Sequence, residues 1–339
     1  MQRRGVTVLF GAVLVLALMI GVLSAPVPYL VMQPGPTYDT LGENPDGDQV
    51  IQIIGAEATT SAGELHLTTV KVGWPRHLWD AIDAWWDDDL AVVPEELIYP
   101  PGQPPEQVHE RNEQDFARSE SAAELAALRY LEYPSQVVVV EVLDGAPAAG
   151  RLAAEDVITS INGTPAATAA EVRELVSAQP AGSTVTVGYQ RAGQPGTVEV
   201  TTAAADDGSP QLGIRIVEEF DTPFELQIAL EDIGGPSAGL MLALGIIDAL
   251  DPVDLTGGHI IAGTGTIDEF GNVGPIGGVP QKLAAARDLG AALFFVPSAN
   301  CAEAVKNAPP GIPLARVDTL ADATDALAAL RAGREPPTC

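Results

Sequence analysis

The sequence predicts an α+β protein of several domains: an N-terminal transmembrane helix, a small β-containing module, a β-rich domain with one helix, and a C-terminal α+β domain. Three observations predict this. The chain has 339 residues, too long for one average domain. An uncharged, mostly apolar run extends from Gly5 to Ala25. Beyond it, short β-type and helical runs alternate, and the pattern changes near Gln136 and again near Gln211. Hydrophobic residues make up 46% of the chain, enough for real cores, while aromatics are only 5%, so Val, Leu, Ile and Ala should fill them. The net charge of −29 repels phosphate backbones, so nucleic acid is not an expected partner.

A bilayer core needs ~20 apolar residues in a helix, and the Gly5–Ala25 run meets that. A removable signal peptide is the alternative. Its apolar region is usually shorter, ~7–15 residues, and Leu23-Ser24-Ala25 makes a poor cleavage site. An uncleaved anchor is therefore expected over residues 5–25. Arg3 and Arg4 should hold residues 1–4 in the cytoplasm and leave the rest of the chain extracytoplasmic. In that compartment the two cysteines, Cys301 and Cys339, are expected to form a disulfide tying down the tail at 334–339.

Prolines 26, 28, 34 and 36 stiffen the exit from the anchor. Val50–Ile54 and Leu65–Val70 read as strands of a module spanning 26–118, and Trp79–Asp89 reads as a short helix. Five prolines between Pro94 and Pro105 mark an extended loop. Glu106–Tyr133 has a helical pattern, within which Ser121-Ala-Ala-Glu is a capping box for a helix carrying Leu125 and Leu128.

From Gln136 the pattern is Val137–Val142 as a strand, Gly145-Ala-Pro-Ala-Ala-Gly as a turn, Asp156-Val-Ile-Thr-Ser-Ile-Asn-Gly as strand and turn, Ala169–Ala178 as a helix, and two further strands. This succession resembles a PDZ domain, placed at 119–205. The resemblance implies a peptide groove between Val137, Val138, Val139 and Val140 and the helix face bearing Val172 and Val176, with the peptide adding as a strand. The segment before that strand is Glu132-Tyr-Pro-Ser. Pro134 has no N–H to donate and Glu132 repels a carboxylate, which argues against capture of a C-terminus there. A spacer that merely positions the next domain is the alternative.

The segment 206–333 carries the chemistry. Gly234-Gly-Pro-Ser-Ala-Gly opens an apolar helix, which places Ser237 at a helix N-terminus with Pro236 in the first turn. Backbone N–H groups of Gly235, Ser237 and Ala238 are then candidates to hold an oxyanion. A serine in this setting is more often only a cap. The second motif shifts that balance. Gly274-Pro-Ile-Gly-Gly-Val-Pro-Gln-Lys puts Lys282 in the first turn of a helix begun by Pro280 and ended by Gly290. A helix N-terminus disfavours an ammonium, and burial beside Ile276, Val279 and Leu283 would disfavour it further. A neutral Lys282 can take the Ser237 hydroxyl proton, with Thr264 orienting the amine.

The G-P-S-A-G, T-G-T-I and P-I-G-G-x-x-x-K blocks, in this order and with serine and lysine 45 residues apart, resemble the proteolytic domain of Lon proteases. With the PDZ-like segment and the anchor, the chain resembles bacterial PDZ-containing Lon-like proteases. The resemblance implies a serine endopeptidase with Ser237 as nucleophile, Lys282 as general base and Thr264 as the orienting residue. Protein or peptide substrates and a possible homo-oligomer follow from the same resemblance. Many Lon domains carry an aspartate three residues before the serine; this chain has Gly234 there and Asp232 two positions earlier. No G-x-x-x-x-G-K-[ST] phosphate loop occurs, so proteolysis without ATP, on flexible or unfolded segments, is expected. No cofactor is expected. Nor is a metal, since no histidine or cysteine pair has ligand spacing.

Two rivals frame the expectation. A Ser-His-Asp hydrolase would need one of His66, His77, His109 or His259, and the chain has no G-x-S-x-G. His259 reads as a strand-edge residue. A non-catalytic envelope scaffold would leave Ser237 and Lys282 far apart.

Overall fold

The structure, a computed structural model, describes residues 2–59, 61–231 and 233–339; in the first helix the described side chains are Thr7 and those from Leu9 onward. The chain forms two compact units. One combines Met1–Tyr130 with Phe224–Cys339, and the other is Leu131–Pro223.

The first unit begins with α1 (Gln2–Leu23), 22 residues long. Its described large apolar side chains between Leu9 and Val22 are exposed. Among the described residues, no helix is long and apolar enough to cross a membrane; the side chains left undescribed in α1 fall in its first turns. Next come β1 (Tyr29–Asp39), β2 (Ile51–Ile54), β3 (Glu64–Gly73), α2 (Leu78–Trp85), β4 (Ala91–Pro94) and α3 (Pro105–Tyr130). Pro105 opens α3 in the position where its missing N–H costs nothing. The expected cap at Ser121 is not a helix start. Ser121 lies inside α3, and its hydroxyl donates back to the Ala117 carbonyl at 3.1 Å. A capping pattern acts only where the chain upstream leaves the helix, and here α3 runs on, packed against a later helix.

The second unit is built from β5 (Ser135–Val142), β6 (Val157–Ile161), the two-residue β7 (Thr164–Pro165), α4 (Ala169–Ser177), β8 (Thr184–Arg191), β9 (Gln194–Thr201), the short pair β10 (Ala203–Ala204) and β11 (Pro210–Gln211), and β12 (Ile214–Phe220). Its main sheet has the order β12-β5-β6-β8-β9, all antiparallel, with β7 beside β6. Val137, Val139, Ile158, Ile161, Val172, Val185 and Val187 form its core. Thr168 caps α4 in a full capping box with Glu171. The unit runs to Pro223, past the expected boundary at 205, because β12 closes its sheet. It starts at Leu131, later than the expected 119, because α3 belongs to the first unit.

The chain then returns to the first unit with β13 (Glu225–Ile228), α5 (Gly239–Leu250), β14 (Ile260–Gly263), the short pair β15 (Thr266–Ile267) and β16 (Val273–Gly274), α6 (Val279–Leu289), β17 (Leu293–Pro297), α7 (Cys301–Asn307), β18 (Leu314–Val317) and α8 (Leu320–Arg331). One sheet joins both halves in the order β18-β17-β14-β3-β1-β4. β3 pairs parallel with β14, and β2 pairs antiparallel with β13. The segment 26–118 is therefore no separate module. It supplies half of the sheet of the C-terminal α+β domain, and the second unit is inserted within that fold. α5 is buried all round from Gly239 to Ala249 and apolar there except for Asp248, as befits a central helix.

The expected disulfide is present: Cys301 and Cys339 are bonded, across 38 residues of sequence. The tail at 334–339 is further held to β18, where Arg316 N–H donates to the Pro337 carbonyl and Ala315 bridges Thr338.

Candidate active site

Ser237 sits in the turn leading into α5. It stands one residue before the N-cap, Ala238, so neither it nor Pro236 lies within the first helical turn as the sequence suggests. The chain bends first at Gly235, whose φ is +86°. α3 holds this turn from one side. Asn112 accepts the Gly235 N–H at 2.8 Å, and the Ser119 hydroxyl donates to the Pro236 carbonyl at 3.1 Å. Gly239 makes the approach possible: a Cβ there would stand 2.7 Å from Ile267 and 2.8 Å from the Ser119 hydroxyl. Asp232, the acidic residue upstream of the serine, lies outside the described residues.

Lys282 is placed by α6 as its local sequence suggests. The helix begins at Val279, with Pro280 in its first turn, and ends at Gly290 in the left-handed conformation. The Lys282 side chain runs into the interior and is 3% exposed. Its Nζ donates to Ser237 Oγ at 2.7 Å and to Thr264 Oγ1 at 2.8 Å. Burial lowers the lysine from 10.5 to about 7. The sequence argument began from the helix end; burial is the cause of the shift.

Thr264 follows directly on β14 and is buried. Its hydroxyl donates to the Ser237 carbonyl at 3.1 Å, which leaves its lone pairs facing the lysine. One hydroxyl therefore locks both the amine and the serine backbone. The Gly265 N–H also donates to the Ser237 carbonyl, at 3.0 Å. Lys282, Thr264 and Ser237, scattered over three segments, are thus brought together.

Ser237 and Lys282 border a cleft of about 720 Å³, walled by Met32, Val70, Ile233 and Ile276 among others, with Thr264 buried behind them. Among the described residues no acceptor takes the N–H of Ser237 or Ala238, so both are available at the turn. Gly235 is not: its N–H is engaged by Asn112, which makes it turn backbone rather than an oxyanion donor. β1 and β3 supply much of the cleft wall, through residues such as Met32, Thr68 and Val70. The sequence reading missed these because they stand in the segment assigned to a separate module. His259 precedes β14, where its carbonyl accepts the Glu64 N–H, and it does not line the cleft.

The expected peptide groove beside β5 is not there. β5 is paired on both sides, with β12 and β6, and Val137, Val138 and Val139 are buried while Val140 faces out at 42% exposure. The edge strand is β12. A groove of about 420 Å³ lies between it and α4, lined by Val172, Val176, Leu212, Ile214 and Ile216. Val172 and Val176 thus keep their place, and β12 replaces β5 as the other wall. The segment leading into the groove is Gln211-Leu-Gly, not Glu132-Tyr-Pro-Ser, so the objection from Pro134 and Glu132 does not apply to it.

One further cluster, Asp39, Glu64 and His66, brings potential metal-ligating atoms within 4.8 Å of one another. His66 Nε2 is already 2.8 Å from Glu64 Oε2, and Asp39 Oδ1 accepts the Leu41 and Leu65 N–H groups. The Leu65–Asp39 bond ties β3 to β1, and none of the three residues lines the cleft.

Two family models match parts of the chain. Residues 231–320 match the Lon protease (S16) C-terminal proteolytic domain, and residues 109–202 match the PDZ domain. Lon protease 2 of Bacillus subtilis is 39% identical over 95 residues, covering 27% of this chain and 16% of that protein. Lon protease of Mycoplasma mobile is 41% identical over 66 residues, 20% of this chain and 8% of that one. The chain therefore spans less than a fifth of the length of these curated relatives. Among solved structures, the PDZ domain of the SdrC-like protein of Listeria monocytogenes is 29% identical, covering 24% of this chain and 86% of that one, with a TM-score of 0.23.

Proposed function

We propose that this PDZ-containing, Lon-like serine peptidase hydrolyses peptide bonds with a Ser237–Lys282 dyad, without ATP. The observation that carries the reading is the Lys282 Nζ to Ser237 Oγ contact of 2.7 Å, made by a buried lysine that ionises near neutrality. Neutral Lys282 takes the hydroxyl proton as Oγ attacks the substrate carbonyl. The negative oxygen that forms meets the N–H groups of Ser237 and Ala238. The Lys282 ammonium then gives its proton to the leaving amine, which breaks the peptide bond and leaves an acyl-serine. Lys282 next takes a proton from water, whose oxygen attacks the acyl carbon, and returns it to Ser237 Oγ as the acid product departs. Thr264 keeps the amine aimed throughout.

The half-open cleft admits an extended segment, and its apolar walls favour an apolar side chain next to the scissile bond. Nothing in the sequence supplies a phosphate loop for unfolding work, so flexible or unfolded proteins are the proposed substrates. The groove between α4 and β12 recruits them by strand addition. We also assign the Gly5–Ala25 run the role of membrane anchor, on its length and lack of charge, with Arg3 and Arg4 on the cytoplasmic side and the peptidase outside.

The test is degradation of an unfolded protein such as casein by the purified full chain, with and without ATP. Cleavage independent of ATP and lost in Ser237→Ala and Lys282→Ala is expected. Equal cleavage by Ser237→Ala would sink the dyad, and strict dependence on ATP would sink the autonomy.

A further inference from the structure

The chain has four tryptophans, and all of them fall between Trp74 and Trp86. None is buried. Trp74 and Trp79 are 52% and 57% exposed, and Trp85 and Trp86 are 80% and 86% exposed. Among the described residues no acceptor meets any of their indole N–H groups; Trp74 stacks on Tyr99 with ring centroids 5.1 Å apart. Four large aromatic rings clustered in contact with water are costly for a soluble surface.

Their position in the fold explains them. α2, with Trp79 and Trp85, starts where α1 stops. The Leu78 N–H donates to the Ala25 carbonyl at 3.1 Å, and His77 Nδ1 lies 3.2 Å from the Ser24 carbonyl. An apolar cleft opens beside α2, between Tyr29, Leu78, Ile82, Trp85 and Val92. The aromatic surface is therefore continuous with the end of the apolar N-terminal helix. Indole rings prefer the bilayer interface, where the ring body is apolar and the N–H reaches headgroup oxygens. The exposed charges here are Arg76 against Asp83, Asp87 and Asp88, a net acidic set, so attraction to anionic lipid is not the driving force.

We infer that the Trp74–Trp86 segment inserts its tryptophans into the headgroup layer of the membrane and seats the peptidase unit against that surface. The inference rests on α1 being the anchor. The segment is also clamped to the catalytic framework. Asp89, three residues after Trp86, receives two hydrogen bonds from Arg287 of α6, at 3.0 and 2.9 Å. Lys282 is on that same helix. Seating the tryptophans therefore also seats the helix that carries the base.

The full chain reconstituted in phosphatidylcholine vesicles provides the test. α1 contains no tryptophan, so intrinsic emission reads this segment alone, while flotation with the vesicles reads the anchor. Emission should shift to shorter wavelength and lose about half its intensity with lipid spin-labelled near the headgroup, as expected for interfacial indoles. Trp85→Ser/Trp86→Ser removes the two most exposed rings and should lower the fraction of emission that the lipid quenches, the rest coming from Trp74 and Trp79, yet cleave soluble casein as the parent does. Flotation with unquenched emission would overturn the inference and leave the anchor standing. Failure to float would remove the anchor and the inference with it. A blue shift that follows protein concentration and resists lipid quenching would assign the surface to a second copy of the chain and overturn the membrane assignment.

Discussion

The Ser119 hydroxyl of α3 donates to the carbonyl of Pro236 at 3.1 Å, so a helix encoded before the inserted unit holds the residue next to the candidate nucleophile. Ser119 is buried and touches neither Lys282 nor the cleft. Its loss removes one buried hydrogen bond, worth about 1 kcal/mol. Ser119→Ala should lower kcat about fivefold with KM little changed, since the turn loosens without altering the cleft wall. A change in KM alone would show that the contact does not position Ser237.

In the proposed dyad Lys282 serves as a base only when neutral. The neutral fraction rises with pH, so kcat/KM should climb with unit slope and level off above a midpoint near 7, the value burial sets for this lysine. An ordinary exposed lysine would keep the rate rising to about pH 10. A pH profile of casein cleavage decides between them, and a midpoint near 10 would mean that Lys282 is not held as described.

The same burial destabilises the fold. In the unfolded chain Lys282 ionises near 10.5 and in the folded chain near 7. Between those values the unfolded chain holds the extra proton, so stability contributed by this site rises with pH across the window and is lowest at and below pH 7. Lys282→Met keeps the side-chain volume and removes the charge. It should raise stability at pH 7 by up to about 5 kcal/mol while abolishing cleavage. Urea unfolding at pH 7 and pH 10 checks this, and the gain should shrink at the higher pH.

Thr264 is bonded to both partners, through 2.8 Å to Lys282 Nζ and 3.1 Å to the Ser237 carbonyl. Thr264→Val leaves the shape and deletes both bonds, which should cost about 10–100-fold in kcat. Thr264→Ser restores the hydroxyl and should recover most of the rate. Equal rates for Val and Ser variants would leave Thr264 a packing residue.

The Cys301–Cys339 bond closes a span of 38 residues and pins the last residue to the start of α7. Cys339→Ser should lower the stability of the peptidase unit by about 2–4 kcal/mol, read by thermal or urea unfolding under oxidising conditions. Reducing agent should lower the parent to the same level and leave the variant unmoved.

What the sequence determined by itself was local. Pro280 and Gly290 delimit α6, and the first turn between them carries Lys282, because a proline and a left-handed glycine act on their own backbone. The Gly-Pro-Ser-Ala-Gly turn, the helix beginning at Ala169 and the positions of most strands were legible for the same reason. Only the tertiary structure decided which strands meet. A period of two tells a strand which face to bury and nothing about its neighbour. So β3 joins β14 across the inserted unit, and β12, not β5, forms the edge of the groove. The Ser121 pattern met no break in α3 and became an interior turn. The serine–lysine contact combines both levels. The helix end that disfavours a charge is written in the sequence, but the burial that brings Lys282 near neutrality comes from elements distant in the chain packing over it.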